Sequence, residues 1–513
     1  MPAPTWRARG RRSGSEGACQ PSEPISNPLS QVDPTTMKAL LLPAAGVLGI
    51  LLAAAPVQAQ PAAPPPPPPG AAQPAAPETS DDPSEVPTMP SVASSFSNPD
   101  PGGVRAFLGE RGISYGLTYI GEALGNAFGG VRRGAGYGGR LDAQMDVDLG
   151  ALAGLTGLTL HANAYQIHGH GLSGCCLGNL LVASGIEARP ATRLYEFWAE
   201  QRLWGDRLAV RAGQLAADTE FLISQYATLF VNGTFGWPAI TAANLPSGGP
   251  AYPFAAPGMR LRLAPAENVT LLAALFDGDP AGPGDDPQRV NRSGTNFRTG
   301  DPALLIAEIA FSYHQDKPAA GLPGTVKLGG YHHFGRFNDP RHDASGLSLN
   351  DPNGSGVPRR RRGDSGVYAV LDQLLYREPG TRDQGLGAFL RLAGSPSGNL
   401  VDLYADGGVT YKGLIPGRMN DTLGLGAAYA RISRGARGLD RDATLFGQAA
   451  TPVRSSEAVI ELSYQAEIVP GLTVQPSVQY ILRPGGHTAN PRDPGGGAIG
   501  NAAVLGLRAT VRY

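Results

Sequence analysis

Cysteine is nearly missing from this chain of 513 residues: three in all, Cys19 near the start and Cys175 beside Cys176. That excludes a disulfide framework and a paired CxxC zinc site. No sign of charge dominates, because 42 Lys and Arg oppose 43 Asp and Glu for a formal net charge of −1. Nothing electrostatic therefore points to a nucleic acid as partner. Past residue 59 there is no apolar run of about 18 residues, so no membrane-spanning helix is expected. What abounds is punctuation, with 71 Gly and 47 Pro breaking the chain into short pieces.

The N-terminal region reads as address and spacer. From Met37 the chain runs "MKALLLPAAGVLGILLAAAPVQAQ", a Lys, an apolar stretch and small residues before Gln60. This is the pattern of a secretory signal peptide over 37–59. Residues 1–36 lack that logic and are expected to be a non-native upstream extension. Segment 60–103, with "PAAPPPPPPGAAQPAAP" at 61–77, is expected to be a Pro-rich disordered linker. "DPGGVRAFLGERG" (100–112) suits one short helix capped by Asp100, and 104–513 forms the remaining domain.

From Ile113 onward, segments of alternating apolar and polar residues recur between Gly, Pro, Asn and Asp. Sixteen strands are expected, at 113–120, 139–150, 156–167, 193–204, 206–214, 256–264, 268–277, 302–313, 324–333, 366–377, 384–394, 399–411, 421–433, 456–467, 472–482 and 502–513. The gaps alternate in length: "WGD" (204–206), "APAEN" (264–268) and "VPG" (469–471) are tight, whereas 215–255, 278–301, 334–365 and 434–455 are long. One gap, "GSPSGN" (394–399), is short where a long one is due. Short turns at one end and long loops at the other, with an even strand number, describe an outer-membrane barrel. Two soluble sandwiches give no reason for the alternation.

The faces decide which way the barrel is turned. In "LDAQMDVDLG" (141–150), Asp142, Gln144, Asp146 and Asp148 alternate with Leu141, Ala143, Met145, Val147 and Leu149, so one face is polar and the other apolar. "RLYEFWAEQRL" places Glu196, Trp198, Glu200 and Arg202 on one side, and the next segments add Arg207, Arg211, Arg260 and Arg262. So many ionised groups cannot form a dry core, so the polar face is expected to line water and the apolar face lipid. The chain ends on Tyr513 in an amphipathic strand, as the terminal strands of outer-membrane barrels do.

The stretches "RLYEFWAEQ" (193–201), "RAGQLAADTEF" (211–221), "FGWPAI" (235–240) and "YPFAAPGMRLRL" (252–263) carry a resemblance. "FDGDP" (276–280), "GGYHHFGRF" (329–337), "GVYAVLDQLLYRE" (366–378) and "QPSVQYILRPGGH" (475–487) extend it. Over 104–513 the chain resembles the carbohydrate-selective porins of the OprB type. The resemblance implies a sixteen-stranded barrel in the outer membrane that passes sugars by diffusion through a constriction lined by arginines and carboxylates. It implies no catalysis and no cofactor. Its partners would be mono- and small oligosaccharides, other small hydrophilic solutes and outer-membrane lipid, with a homotrimer and a monomer both open.

Wide barrels leave an aqueous channel that must be narrowed to become selective. Segment 218–255, which holds Asp218, Phe221, Leu229, Phe230, Phe235 and Trp237, is too apolar for a free loop and is expected to fold into the lumen. The alternative is a flap on the rim or on a neighbouring subunit. The expected pore-lining and sugar-contacting residues are Glu196, Trp198, Glu200, Arg202, Arg211, Asp218, Trp237, Arg260, Arg262 and Arg391. Trp198 would stack a pyranose ring while carboxylates and guanidinium forks bond its hydroxyls. For any one of them, a cross-lumen salt bridge is the competing role.

Other readings are weaker. His161 and Asn163 on one strand suit a membrane-embedded hydrolase, but they fall on the polar face with no Ser at hand. His168 and His170 lack a third metal ligand and are expected in the lumen or a loop. Cys175 and Cys176, in the second long loop, either join or do nothing. "RRRR" (359–362), placed in the fifth long loop, reads as a solvated charge run, with contact to anionic lipopolysaccharide as its alternative. A general or anion-preferring porin and, further off, a hydrolase or an adhesin on the same barrel remain the competing functions.

Overall fold

The computed structural model describes residues 91–95, 100–315, 321–381, 383–396, 399–447 and 452–513. The expected upstream extension and signal peptide, and all of the expected linker except 91–95 and 100–103, lie outside these residues. The described residues form a closed barrel of antiparallel strands. They are β1 (Ile113–Gly130), β2 (Gly134–Asp148), β3 (Leu158–Gly169), β4 (Ala191–Leu203), β5 (Leu208–Leu215), β6 (Ala256–Ala266), β7 (Val269–Phe276) and β8 (Leu304–Tyr313). The second half comprises β9 (Gly324–Asp343), β10 (Pro358–Arg377), β11 (Gly385–Gly394), β12 (Val401–Lys412), β13 (Thr422–Ile432), β14 (Ser456–Val469), β15 (Leu472–Leu482) and β16 (Gly500–Arg512). Each strand pairs with its sequence neighbours, and β1 closes on β16 with Ile120 opposite Thr510. All sixteen expected strands are present.

Two hairpins run further than alternation alone indicated. β1 and β2 continue to a three-residue connection at 131–133, so most of the gap between the first two expected strands, 121–138, is strand and not loop. β9 and β10 likewise extend past 333 and back from 358, and Arg359–Arg362 stand in strand β10 and not in a loop. Glycines hid the first extension, since 121–138 reads as turn, and charged side chains hid the second, because a strand that has left the membrane loses its apolar face. The 100–112 helix forms at Val104–Gly109, with the Asp100 carboxylate accepting the Arg105 and Ala106 N–H groups at 3.0 and 2.9 Å.

Burial is inverted relative to a soluble protein. Leu328 is 55% exposed and Leu392 46%, whereas Glu461 and Arg391 are completely buried. The outward residues meet hydrocarbon, where apolar side chains belong and every strand hydrogen bond must be closed. On β2 the expected parity holds: Leu141 and Met145 point out, and Asp142 and Gln144 line the interior.

The core sits inside the barrel and is made largely by loops. Leu172, Leu177 and Leu181 from the connection after β3, and Phe221, Phe230, Phe235 and Ile240 from the connection after β5, are buried together. The segment 216–255 lies against the inner wall. Leu222 N–H donates to Glu308 of β8 (3.1 Å), Ser224 Oγ–H to Asp372 of β10 (2.5 Å) and Val231 N–H to Glu461 of β14 (2.6 Å). Each of these carboxylates faces the interior, and each charged bond contributes on the order of 1.5–3 kcal/mol. The connection after β3 joins in, with Leu181 N–H on Glu457 (2.8 Å) and Gly233 N–H on the Val182 carbonyl (2.8 Å). Cys175 and Cys176 are joined to each other within that connection.

Candidate functional site

The wall left open by these loops is β2–β6, and strand register writes its chemistry. Glu200 of β4 lies opposite Arg211 of β5, and Arg211 lies opposite Arg260 of β6, so three charged residues stand in one row across three strands. Glu220, from the loop after β5, closes the row into a ring. Arg211 reaches Glu200 at 2.8 Å and Glu220 at 2.6 Å, while Arg260 Nη2 donates to Glu200 at 2.9 Å and to Glu220 at 2.8 Å. Two forks facing two carboxylates satisfy the geometry that guanidinium groups favour. Arg202, half-exposed, adds a 3.3 Å bond to Glu200, so it shares that carboxylate with Arg211 as expected.

A cavity of about 520 Å³ opens beside the ring. Its charged lining consists of Asp142, Glu196 and Glu220 against Arg211, Arg260 and Arg262, three of each sign. Asn163 donates to Asp142 at 2.8 Å, and Glu196 accepts the Ala216 N–H at 3.0 Å without forming an ion pair among the described residues. Donors and acceptors are thus interleaved on one wall with no net charge.

Trp198 lines the cavity, but its ring faces are taken. His161, from β3 on one side, stacks on it with centroids 4.6 Å apart. Arg211, from β5 on the other side, places its guanidinium carbon 3.6 Å from the ring centre. The expected stacking of a pyranose on Trp198 is therefore corrected: the indole is a spacer that fixes Arg211. Gly213, opposite Trp198, leaves room for it, since a Cβ there would come within 2.9 Å of the Trp198 side chain and 2.3 Å of the Phe197 carbonyl oxygen.

The comparisons with known proteins fit this geometry. The model of the carbohydrate-selective porin, OprB family, matches residues 132–513. The chain belongs to that family. Porin B of Pseudomonas aeruginosa is 26% identical over 439 residues, 80% of this chain and 89% of the relative. A high-pH structure of Pseudomonas putida OprB superposes with a TM-score of 0.71 at 21% identity, covering 84% of this chain and all of that one. This porin is a multi-pass β-barrel of the outer membrane, a passive channel without catalytic activity.

Five of the expected residues of this porin do not line the cavity: Glu200 and Arg202 belong to the charged row beside it, and the other three lie elsewhere. Arg391 is buried beneath the loop after β5, paired with Asp406 and donating to the Leu222 carbonyl at 2.7 Å and the Phe235 carbonyl at 2.9 Å. It is an anchor for that loop. Asp218 accepts from Tyr195 Oη–H at 2.7 Å and from Tyr252 N–H at 2.8 Å, and shapes the loop's entry. Trp237 donates its indole N–H to the Gly248 carbonyl at 3.0 Å and packs on the core within the same loop. His168 is corrected as well: it stands on the outer face with Tyr119 and Tyr137, not in the lumen. Glu220 and His161 were missed as site residues. Glu220 carried one signal, its place two residues past Asp218 in the family-like "RAGQLAADTEF".

Proposed function

We propose that the cavity between β2–β6 and Glu220 is the selective constriction, and that it passes mono- and small oligosaccharides. The balanced lining of three carboxylates and three guanidinium groups carries this reading. A sugar is neutral and covered with hydroxyls that both donate and accept, so alternating fixed donors and acceptors replace its hydration along the path. A phosphate- or carboxylate-selective pore needs an excess of free cations instead, and here Arg211 and Arg260 are neutralised by Glu200 and Glu220. Arg262 and Glu196, which form no ion pair among the described residues, supply the unsaturated donor and acceptor.

Liposome swelling with purified protein tests the reading. Monosaccharides should enter fastest, disaccharides more slowly, and sugar acids of equal size more slowly than their neutral parents. Faster entry of the acids would favour the anion-preferring alternative.

A further inference from the structure

The run Arg359–Arg362 has no part in the channel, yet its strand position sorts the four side chains into two kinds. In β10 they alternate across the sheet. Arg359 and Arg361 point to the side where Asp339 of β9 is buried, at 2.7 and 3.8 Å from its carboxylate. Arg360 and Arg362 point to the other side. There Arg362 lies directly opposite Arg336 of β9, and Arg360 lies opposite Asn338, whose side-chain oxygen it reaches at 3.1 Å. Arg336, Arg360 and Arg362 are exposed and, among the described residues, none of them has a carboxylate partner. Like charges directly opposite on one face of a sheet are destabilising unless an anion joins them.

Toward the membrane the same face becomes apolar: Phe334, two residues from Arg336, is 55% exposed, and past His332 and Ser365 follow Leu328 of β9 (55%) and Val367 of β10 (67%). Two residues of strand span about 7 Å, so Arg336 and the Arg362 opposite it stand just above Phe334, with Arg360 two residues further out, at the end of the barrel that carries the long loops. The adjoining connection between β11 and β12, 395–400, is too short to cover them. A ligand fitting this face has acyl chains below and an anionic group above.

We infer that Arg336, Arg360 and Arg362 form a docking site for the phosphate groups of a phosphorylated glycolipid of the outer leaflet. Arg336 and Arg362 hold one phosphate between two forks, Arg360 braces it from the next position, and the acyl chains lie along Phe334 and Val367. Arg359 and Arg361 are internal struts on Asp339.

Native mass spectrometry of the full chain in detergent tests this, with bis-phosphorylated lipid A and the same lipid stripped of phosphate as probes. The protein should retain the phosphorylated lipid at least tenfold more than the stripped one, and millimolar inorganic phosphate should not displace it. R336Q/R360Q/R362Q should lose this preference. R359Q/R361Q, which also alters the run, should keep it. Equal retention of both lipids, full displacement by inorganic phosphate, or unchanged retention by the triple variant would overturn the site. Should the triple variant fail to assemble, Arg362→Gln alone is expected to cut retention at least threefold, and unchanged retention there also overturns it.

Discussion

Glu220, on a loop, and Arg260, on the barrel wall, share a hydrogen bond of 2.8 Å that ties the folded-in loop to the wall of the channel. Through it the loop after β5 sets the charge of the constriction as well as its width. Glu220→Gln keeps the shape and removes one of the two carboxylates facing Arg211 and Arg260. The variant should turn the pore toward anions, with the chloride-to-potassium permeability ratio rising several-fold in reversal-potential measurements. The shift should shrink in molar salt, because the Debye length falls to about 3 Å there. An unchanged ratio would show that Glu220 does not set the field.

The indole of Trp198 holds Arg211 from one side, and cation–π contacts contribute about 0.5–2 kcal/mol. Trp198→Ala should therefore weaken sugar-induced block of ion current by a factor of up to about 30, although no sugar stacks on the ring. Trp198→Phe should retain most of the block, since a phenyl face also accepts a guanidinium. Arg211→Lys should lose it despite keeping the charge, because a single ammonium cannot fork between Glu200 and Glu220. Titrating conductance with glucose separates the three.

How much of this was legible beforehand depended on whether the information was local. Leu141 to Asp148 alternate on paper as they do in the wall, so the strands, the barrel and its orientation could be read directly. Glu196, Glu200, Arg202, Arg211, Arg260 and Arg262 followed from that same parity. Arg391 shared the parity and failed, because strand phase says which face a residue is on and not which loop lies over that face. Trp198 failed for a related reason: β3 and β5 bring His161 and Arg211 to its flanks, and register between strands is not written in either strand alone. Arg359–Arg362 looked like loop because the apolar alternation stops where the barrel leaves the lipid.

Parity on β2 predicts a labelling pattern. Cysteines at Gln144 and Asp146 should react with a water-soluble thiol reagent, and cysteines at Ala143 and Met145 should not. Met145→Arg, pointing into lipid, should cost roughly 2–4 kcal/mol if that depth is near the midplane. Urea titration of the heat-modifiable form measures it. Equal labelling on both parities would contradict the assigned orientation.

Outside the membrane, Arg341 grips Asp442 of the 434–445 helix with bonds of 2.8 and 3.0 Å, and that guanidinium holds the Asp442 carboxyl below its ordinary value. A carboxyl lowered in the folded state contributes stability above its unfolded pKa, about 3.9, and loses it as the pH falls through the folded value. Protection factors for amide hydrogen exchange over 435–445 should thus be unchanged from pH 7 to 5 and should fall below pH 4. Asp442→Asn should show the lowered protection at every pH.

Arg391 and Asp406 form the buried pair on which the loop after β5 is hung. Arg391 also donates to the carbonyls of Leu222, Thr234 and Phe235, so one side chain fixes three points of the loop. Arg391→Met keeps the bulk and removes the donors, leaving Asp406, among the described residues, with the Tyr404 hydroxyl, which donates to it at 2.7 Å. Breaking one side of a buried pair costs roughly 3–5 kcal/mol. The strands retain their own ladders, so the loss should fall on the loop. The barrel should still assemble, as judged by heat modifiability, with higher single-channel conductance, larger current noise and faster entry of disaccharides. The double variant Arg391→Met/Asp406→Leu removes the orphaned charge and should assemble more stably than Arg391→Met while keeping the raised conductance. Were Arg391→Met to conduct like wild type, the loop would be held by its other anchors, Glu308, Asp372 and Glu461 among them.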